Sequence, residues 1–186
     1  MLPRYSFPMY SIIPHEANPT LREKARAVPV SDIPKEKIQT LIKEMRALLD
    51  SEEYGVALAA PQVGQSLRLF IVSSQALEKP KRVARLGSAA LKDKEEFSAA
   101  EDVYINPTIV KMSRGKTLKH EGCLSVRGKW GRVPRTEKVT LSAYNERGEK
   151  FTRGASGLLA HIFQHEMDHL EGVLYIDKAE EILDDK

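Results

Sequence analysis

Gln164-His165-Glu166-Met167-Asp168-His169-Leu170-Glu171-Gly172 ends a segment, Gly157 to Leu170, whose pattern reads as a helix. Residues four apart share one face of a helix, so His165 and His169 can hold one metal ion between their imidazoles. Glu166 stands beside the first of them and can act as a general base toward water at that ion. The same letters also suit a polar turn on an ordinary amphipathic helix, so other parts of the chain must supply further support. Upstream, Leu158, Leu159, Ile162 and Phe163 are apolar, which makes this helix at least partly buried.

Two histidines do not complete a catalytic metal site, which has three protein ligands and a place for water. A continuation to His-Glu-x-x-His-x-x-Gly-x-x-His would put a third histidine at position 175, where the chain has Tyr175. The remaining histidines are His15, His120 and His161, and the single cysteine is Cys123. Cys123 is the best third ligand, because a thiolate binds zinc or ferrous iron strongly and Gly122 lets the backbone turn beside it. Two other readings of Cys123 stay open: a small buried hydrophobe, and a nucleophile paired with histidine. A fourth ligand, His161 or His120, would close the site and make it structural.

The 186 residues suffice for one domain with a true core, and Cys123 alone cannot form an intramolecular disulfide, which fits a reducing compartment. With 29 basic and 26 acidic residues the net charge is +3, too small to argue for nucleic acid. No run reaches the ~20 apolar residues that a membrane helix needs. Prolines 3, 8 and 14 interrupt the N-terminus, which does not resemble a signal peptide. A soluble, cytoplasmic protein is the expectation.

Along the chain, residues 1–30 are Pro-rich, with a short helical turn expected at Leu21–Ala27. A helix is expected from Pro34 to Asp50, capped by Ser31 or Asp32, with Ile38, Leu41, Ile42, Met45, Leu48 and Leu49 on one stripe. Tyr54 to Gly64 reads as a strand leading into a turn. Gln62 stands there as an uncharged polar group in apolar surroundings, where bonding neighbouring backbone is its simplest role. Strands follow at Leu67–Ser73, Val103–Ile105, Thr108–Met112, Lys138–Tyr144 and Lys150–Thr152, with a turn at Asn145–Gly148. Residues 75–100 are Ala-, Lys- and Glu-rich and read as a charged surface insertion. The tail Lys178–Lys186 is expected to fray. Short strands joined by hairpin-length turns around two main helices make the fold class α+β.

Three separated stretches now align with one family. Gly55–Gln62 resembles Gly-x-Gly-x-Ala-Ala-x-Gln, with Ala57 in place of the second glycine. Glu121–Ser125 matches Glu-Gly-Cys-x-Ser, and Gln164–His169 matches Gln-His-Glu-x-Asp-His. In this order, and across most of residues 10–177, the chain resembles the peptide deformylases. The resemblance implies antiparallel sheets wrapped around the central helix that carries His-Glu-x-x-His, in a single catalytic domain over 1–186. It implies removal of the formyl group from N-formylmethionyl nascent polypeptides, with release of formate, near the ribosome in a bacterial-type cytoplasm. It makes Cys123, His165 and His169 the ligands of one divalent metal, Fe2+ natively, with Zn2+, Ni2+ or Co2+ as substitutes. It makes Glu166 the catalytic acid and base, with Gln62 and the backbone N–H of Leu124 facing the formyl oxygen. His161 stands where the family usually has an apolar residue lining the methionine pocket, which makes it a pocket-edge histidine. Asp168 is expected to pair with Arg135 and steady the helix.

Overall fold

The computed structural model describes residues 10–73 and 102–184. The elements among them are α1 (Glu36–Ser51), β1 (Ala57–Ala59), β2 (Leu69–Val72), β3 (Val103–Met112), β4 (Lys116–Cys123) and β5 (Val126–Thr136). They continue with β6 (Lys138–Tyr144), β7 (Lys150–Ser156), α2 (Gly157–Leu170) and β8 (Glu181–Asp184). The strands form two antiparallel sheets, one in the order β1-β2-β3-β6-β7 and one in the order β4-β5-β8.

Strand alternation explains why β1 and β2 are apolar at every position. Ala57, Ala59, Phe70, Val72 and Tyr104 face one side and pack with Leu159, Ala160, Ile162, Phe163, Met167 and Leu170 of α2. Leu58, Leu69, Ile71, Val103 and Ile105 face the other side and pack with Ile38, Leu41, Ile42, Met45 and Leu49 of α1. Both faces of this part of the sheet are therefore buried, and α2 lies against it as the central helix. Phe70 and Tyr104 stack with ring centroids 4.8 Å apart, and Phe163 meets the Tyr104 edge at 4.9 Å. Contacts of this kind contribute ~0.5–1.5 kcal/mol each beyond area burial, and they fix the height of α2 on the sheet. At its end, Gly172 has φ 76, and a Cβ there would stand 2.9 Å from the Arg22 backbone, so only glycine fits this turn.

Several expectations need correction. Ser31 and Asp32 do not cap α1, because Val30–Asp32 form a 3-10 turn of their own and the helix begins after Lys35. The turn expected at Leu21–Ala27 lies earlier, at Pro19–Arg22. Val103–Met112 is one strand with an irregularity at Asn106, whose φ is 51. The tail does not simply fray: Glu181–Asp184 pairs with Lys129–Arg132 as β8. The long hairpin of β4 and β5 had no clear signal, since half of β4 is exposed and only Glu121 in it is fully buried, so its pairing rests on backbone bonds. The segment 75–100 lies outside the described residues. No helix among the described residues is long and apolar enough to cross a membrane.

Candidate metal centre

The helix brings His165 and His169 together with ring centroids 4.9 Å apart and planes at 87°. The third member arrives from the other sheet. β4 ends at Cys123, and the Leu124-Ser125 turn returns the chain into β5 with Val126 opposite Cys123. A side chain at Gly122 would meet the Trp130 ring at 3.1 Å, so glycine lets β4 lie close beneath that ring. The Cys123 sulfur comes within 3.3 Å of His169 Nε2. One ligand atom from each of Cys123, His165 and His169 lies within 4.8 Å of the others. Tetrahedral bonds of ~2.3 Å to sulfur and ~2.0 Å to nitrogen separate the two donors by ~3.5 Å, so this donor set fits a single divalent ion.

Around these three runs a fully engaged polar layer centred on Glu121. Its Oε2 accepts from His165 Nδ1 at 2.8 Å and from Arg135 Nη2 at 3.0 Å. Its Oε1 accepts from Arg135 Nε at 2.5 Å and from His161 Nε2 at 2.7 Å. A carboxylate that accepts a hydrogen bond from His165 Nδ1–H would leave Nε2 as the nitrogen free to bind an ion. Arg135 Nη1 also donates to Asp168 Oδ2 at 2.7 Å, and Lys178 Nζ donates to Asp168 Oδ1 at 2.6 Å. The expected Asp168–Arg135 pair is thus present, with Arg135 buried and Asp168 mostly so. Gln164 ties the helix to β5 by donating to the Thr136 carbonyl at 2.9 Å and accepting from the Thr136 N–H at 2.9 Å.

Burial sets the ionisation of this layer. It opposes charge on Glu121, but Arg135, His161 and His165 outweigh it and hold the carboxylate well below its usual range. Burial also opposes the charged form of His165, yet the Cys123 sulfur and Glu121 raise its proton affinity well above normal. His169 is pushed well below normal, first by burial and then by the charge of His165. Glu166 is pushed up to about 7, chiefly by burial. Its Oε2 and the Nδ1 of His169 are buried without a hydrogen-bond partner among the described residues.

The other sequence candidates fall close by. Gln62 is buried in the 3-10 turn after β1; its Oε1 accepts from the Ala59 N–H at 2.8 Å. Its Nε2 reaches Cys123 Sγ at 3.5 Å and Ser125 Oγ at 3.4 Å. The backbone N–H of Leu124, next to the sulfur, has no acceptor among the described residues. Neither candidate for a fourth ligand joins the cluster: His161 is bonded to Glu121, and His120 is exposed. Ala57 is buried against α2. Glu121 is the residue whose role was missed. Its place two residues before Cys123 was visible, but not its reach to two histidines and an arginine on other elements.

Known proteins resemble this chain along most of its length. A family model described as polypeptide deformylase matches residues 9–184. A peptide deformylase of Halothermothrix orenii is 38% identical over 162 residues, covering 87% of this chain and 88% of that protein. Peptide deformylase 1A of Arabidopsis thaliana, described as chloroplastic/mitochondrial, is 39% identical over 87% of this chain, which spans 58% of the plant protein. The crystal structure of peptide deformylase from Thermotoga maritima matches with a TM-score of 0.72 at 30% identity, covering 93% of this chain and 99% of that one. One from Legionella pneumophila matches with a TM-score of 0.72 at 35% identity, covering 92% and 86%. The likeness extends over nearly all of both partners in most of these comparisons, so the chain belongs to the polypeptide deformylase family, whose enzymes remove the N-terminal formyl group from nascent peptides.

Proposed function

We propose that Cys123, His165 and His169 hold one divalent metal, that Glu166 is the acid and base, and that the substrate is the formyl amide of an N-formylmethionyl nascent chain. The observation that carries this reading is the convergence of one sulfur and two imidazoles within 4.8 Å, with the buried carboxyl of Glu166 next to His165 on the same helix. The set stops at three protein ligands among the described residues, as in catalytic sites. A bound divalent ion supplies a Lewis acid that lowers the pKa of water to ~7 in favourable sites.

The chain's own residues do the rest. Glu166 takes a proton from the water whose oxygen attacks the formyl carbon. The carbonyl oxygen then carries the negative charge, and the Nε2 donor of Gln62 and the Leu124 N–H face it. Gln62 suits this task because its Oε1 is already held by the Ala59 N–H, which directs the amide nitrogen toward the sulfur. Preorganised donors of this kind need no rearrangement as charge develops. Glu166 returns its proton to the amide nitrogen, the carbon–nitrogen bond breaks, and formate and a free methionyl amine leave. A buried carboxyl beside the attacking water can take this proton and then return it to the leaving nitrogen. Glu121 and Arg135 keep His165 in the tautomer that ligates through Nε2.

The native metal in this reading is Fe2+, with Zn2+, Ni2+ or Co2+ able to occupy the same donors, since thiolate and imidazole suit all four. The lone cysteine fits a reducing cytoplasm, where nascent chains leave the ribosome. Residues 1–186 act as one catalytic domain. The test is formate release from formyl-Met peptides by anaerobically prepared protein whose metal content is measured on the same sample. Formate should appear with about one metal per chain, and unformylated peptides should stay intact. Cleavage of internal peptide bonds, or no formate from fully loaded protein, would overturn the reading.

A further inference from the structure

A cleft of about 450 Å³ opens where the two sheets part, on a flank of α2 away from the metal centre. Gln164, Met167 and Asp168 border it, whereas His165 and His169 carry the metal site. At 3.6 residues per turn these two sets point ~120° apart around the helix. We propose that this cleft binds a small amphipathic anion, one carboxylate or sulfonate on an apolar body, independently of substrate.

Size, lining and charge each support that ligand class. The volume falls within the ~300–1,000 Å³ typical of small-molecule sites. One wall is apolar: Ile109 and Met112 of β3 and Met167 of α2 border the space. Met112 is 45% exposed, so its thioether chain meets solvent without a covering side chain. The polar lining is unequal in sign, with Lys116, Arg135 and Lys178 set against Asp168. Both oxygens of Asp168 are already taken, by Arg135 at 2.7 Å and Lys178 at 2.6 Å. The Lys116 side chain has neither hydrogen bond nor ion pair among the described residues, which leaves its ammonium available to an anion. An anionic head at Lys116 places an apolar body against Met112 and Ile109, so one ligand satisfies both halves of the cleft.

The probe is 8-anilinonaphthalene-1-sulfonate, titrated by fluorescence into the metal-loaded protein of residues 1–186 with and without a saturating formyl-Met peptide. One saturable site is expected, unchanged by the peptide. Lys116→Glu reverses the free charge, and Met112→Glu puts an acid into the apolar wall; each should weaken binding on the order of 10-fold or more. Both side chains are exposed, and wild-type rates of formate release by the two variants verify that they fold. Absence of a saturable site, displacement of the dye by the peptide, or wild-type affinity in either variant would overturn the proposal.

Discussion

Replacing Glu166 by glutamine should stabilise the metal-free protein, by an amount that grows with pH. Glu166 is 3% exposed, its Oε2 lacks a partner among the described residues, and burial pushes it up from 4.5 to about 7. Below pH 4.5 the folded and unfolded chains both keep this proton. Between 4.5 and about 7 the unfolded chain releases it and the folded chain does not, so stability is lost as pH rises through that window. At ~1.4 kcal/mol per pH unit, the loss is about 1 kcal/mol at pH 5 and about 3 kcal/mol at pH 8. Glutamine has nearly the same shape and never ionises. Urea unfolding of metal-free wild type and Glu166→Gln, from pH 5 to pH 8, should therefore show the variant's advantage growing by about 2 kcal/mol. A constant difference across that range would refute the claim that burial holds the carboxyl near neutrality in the metal-free protein. A wild type that gains relative to the variant as pH rises would contradict the sign as well.

Other perturbations test neighbouring parts of the site. Arg135→Met removes one partner of a buried ion pair and leaves Glu121 with only two histidine donors. It should cost ~3 kcal/mol, lower the melting temperature by ~6–12 °C, and weaken Co2+ binding ~10-fold or more. Calorimetry and metal titration check both parts, and a variant unchanged in both would contradict the role given to Arg135. Gln62→Ala should lower kcat by ~10²–10³ and leave KM nearly unchanged, as expected for a donor engaged only as charge develops. Equal kcat in steady-state kinetics would remove Gln62 from that role. Gly172→Ala forces a Cβ into a backbone with φ 76 and against the Arg22 carbonyl. It should destabilise by at least ~1–2 kcal/mol in urea unfolding, and neutrality would count against the close approach.

Much of the site was legible because its residues carry local patterns. The i, i+4 histidines needed only helical spacing, and Gly157–Leu170 is helical as read. β6 was readable from the alternation of Val139, Leu141 and Ala143, whose side chains are buried while their neighbours are not. Cys123 was reachable by elimination, since few other ligands existed. Two kinds of feature stayed hidden. β4, β5 and β8 bury little apolar surface, so their pairing leaves weak periodicity and depends on partners distant in sequence. Glu121 sits on β4, yet its partners lie on β5 and on two turns of α2. No spacing rule within one element reports such a junction. His161 illustrates the limit well: its place on the helix was known, but its engagement by Glu121 emerges only from the packing of α2 against the second sheet.

The account rests on a division of labour in which one sulfur and two imidazoles retain the ion while a separate carboxylate moves the proton. Metal content and formate release measured together on Glu166→Ala address that division most directly. About one metal per chain with formate release reduced to background is the predicted result. Release at the wild-type rate from the substituted protein, or loss of the metal along with the carboxylate, would contradict it.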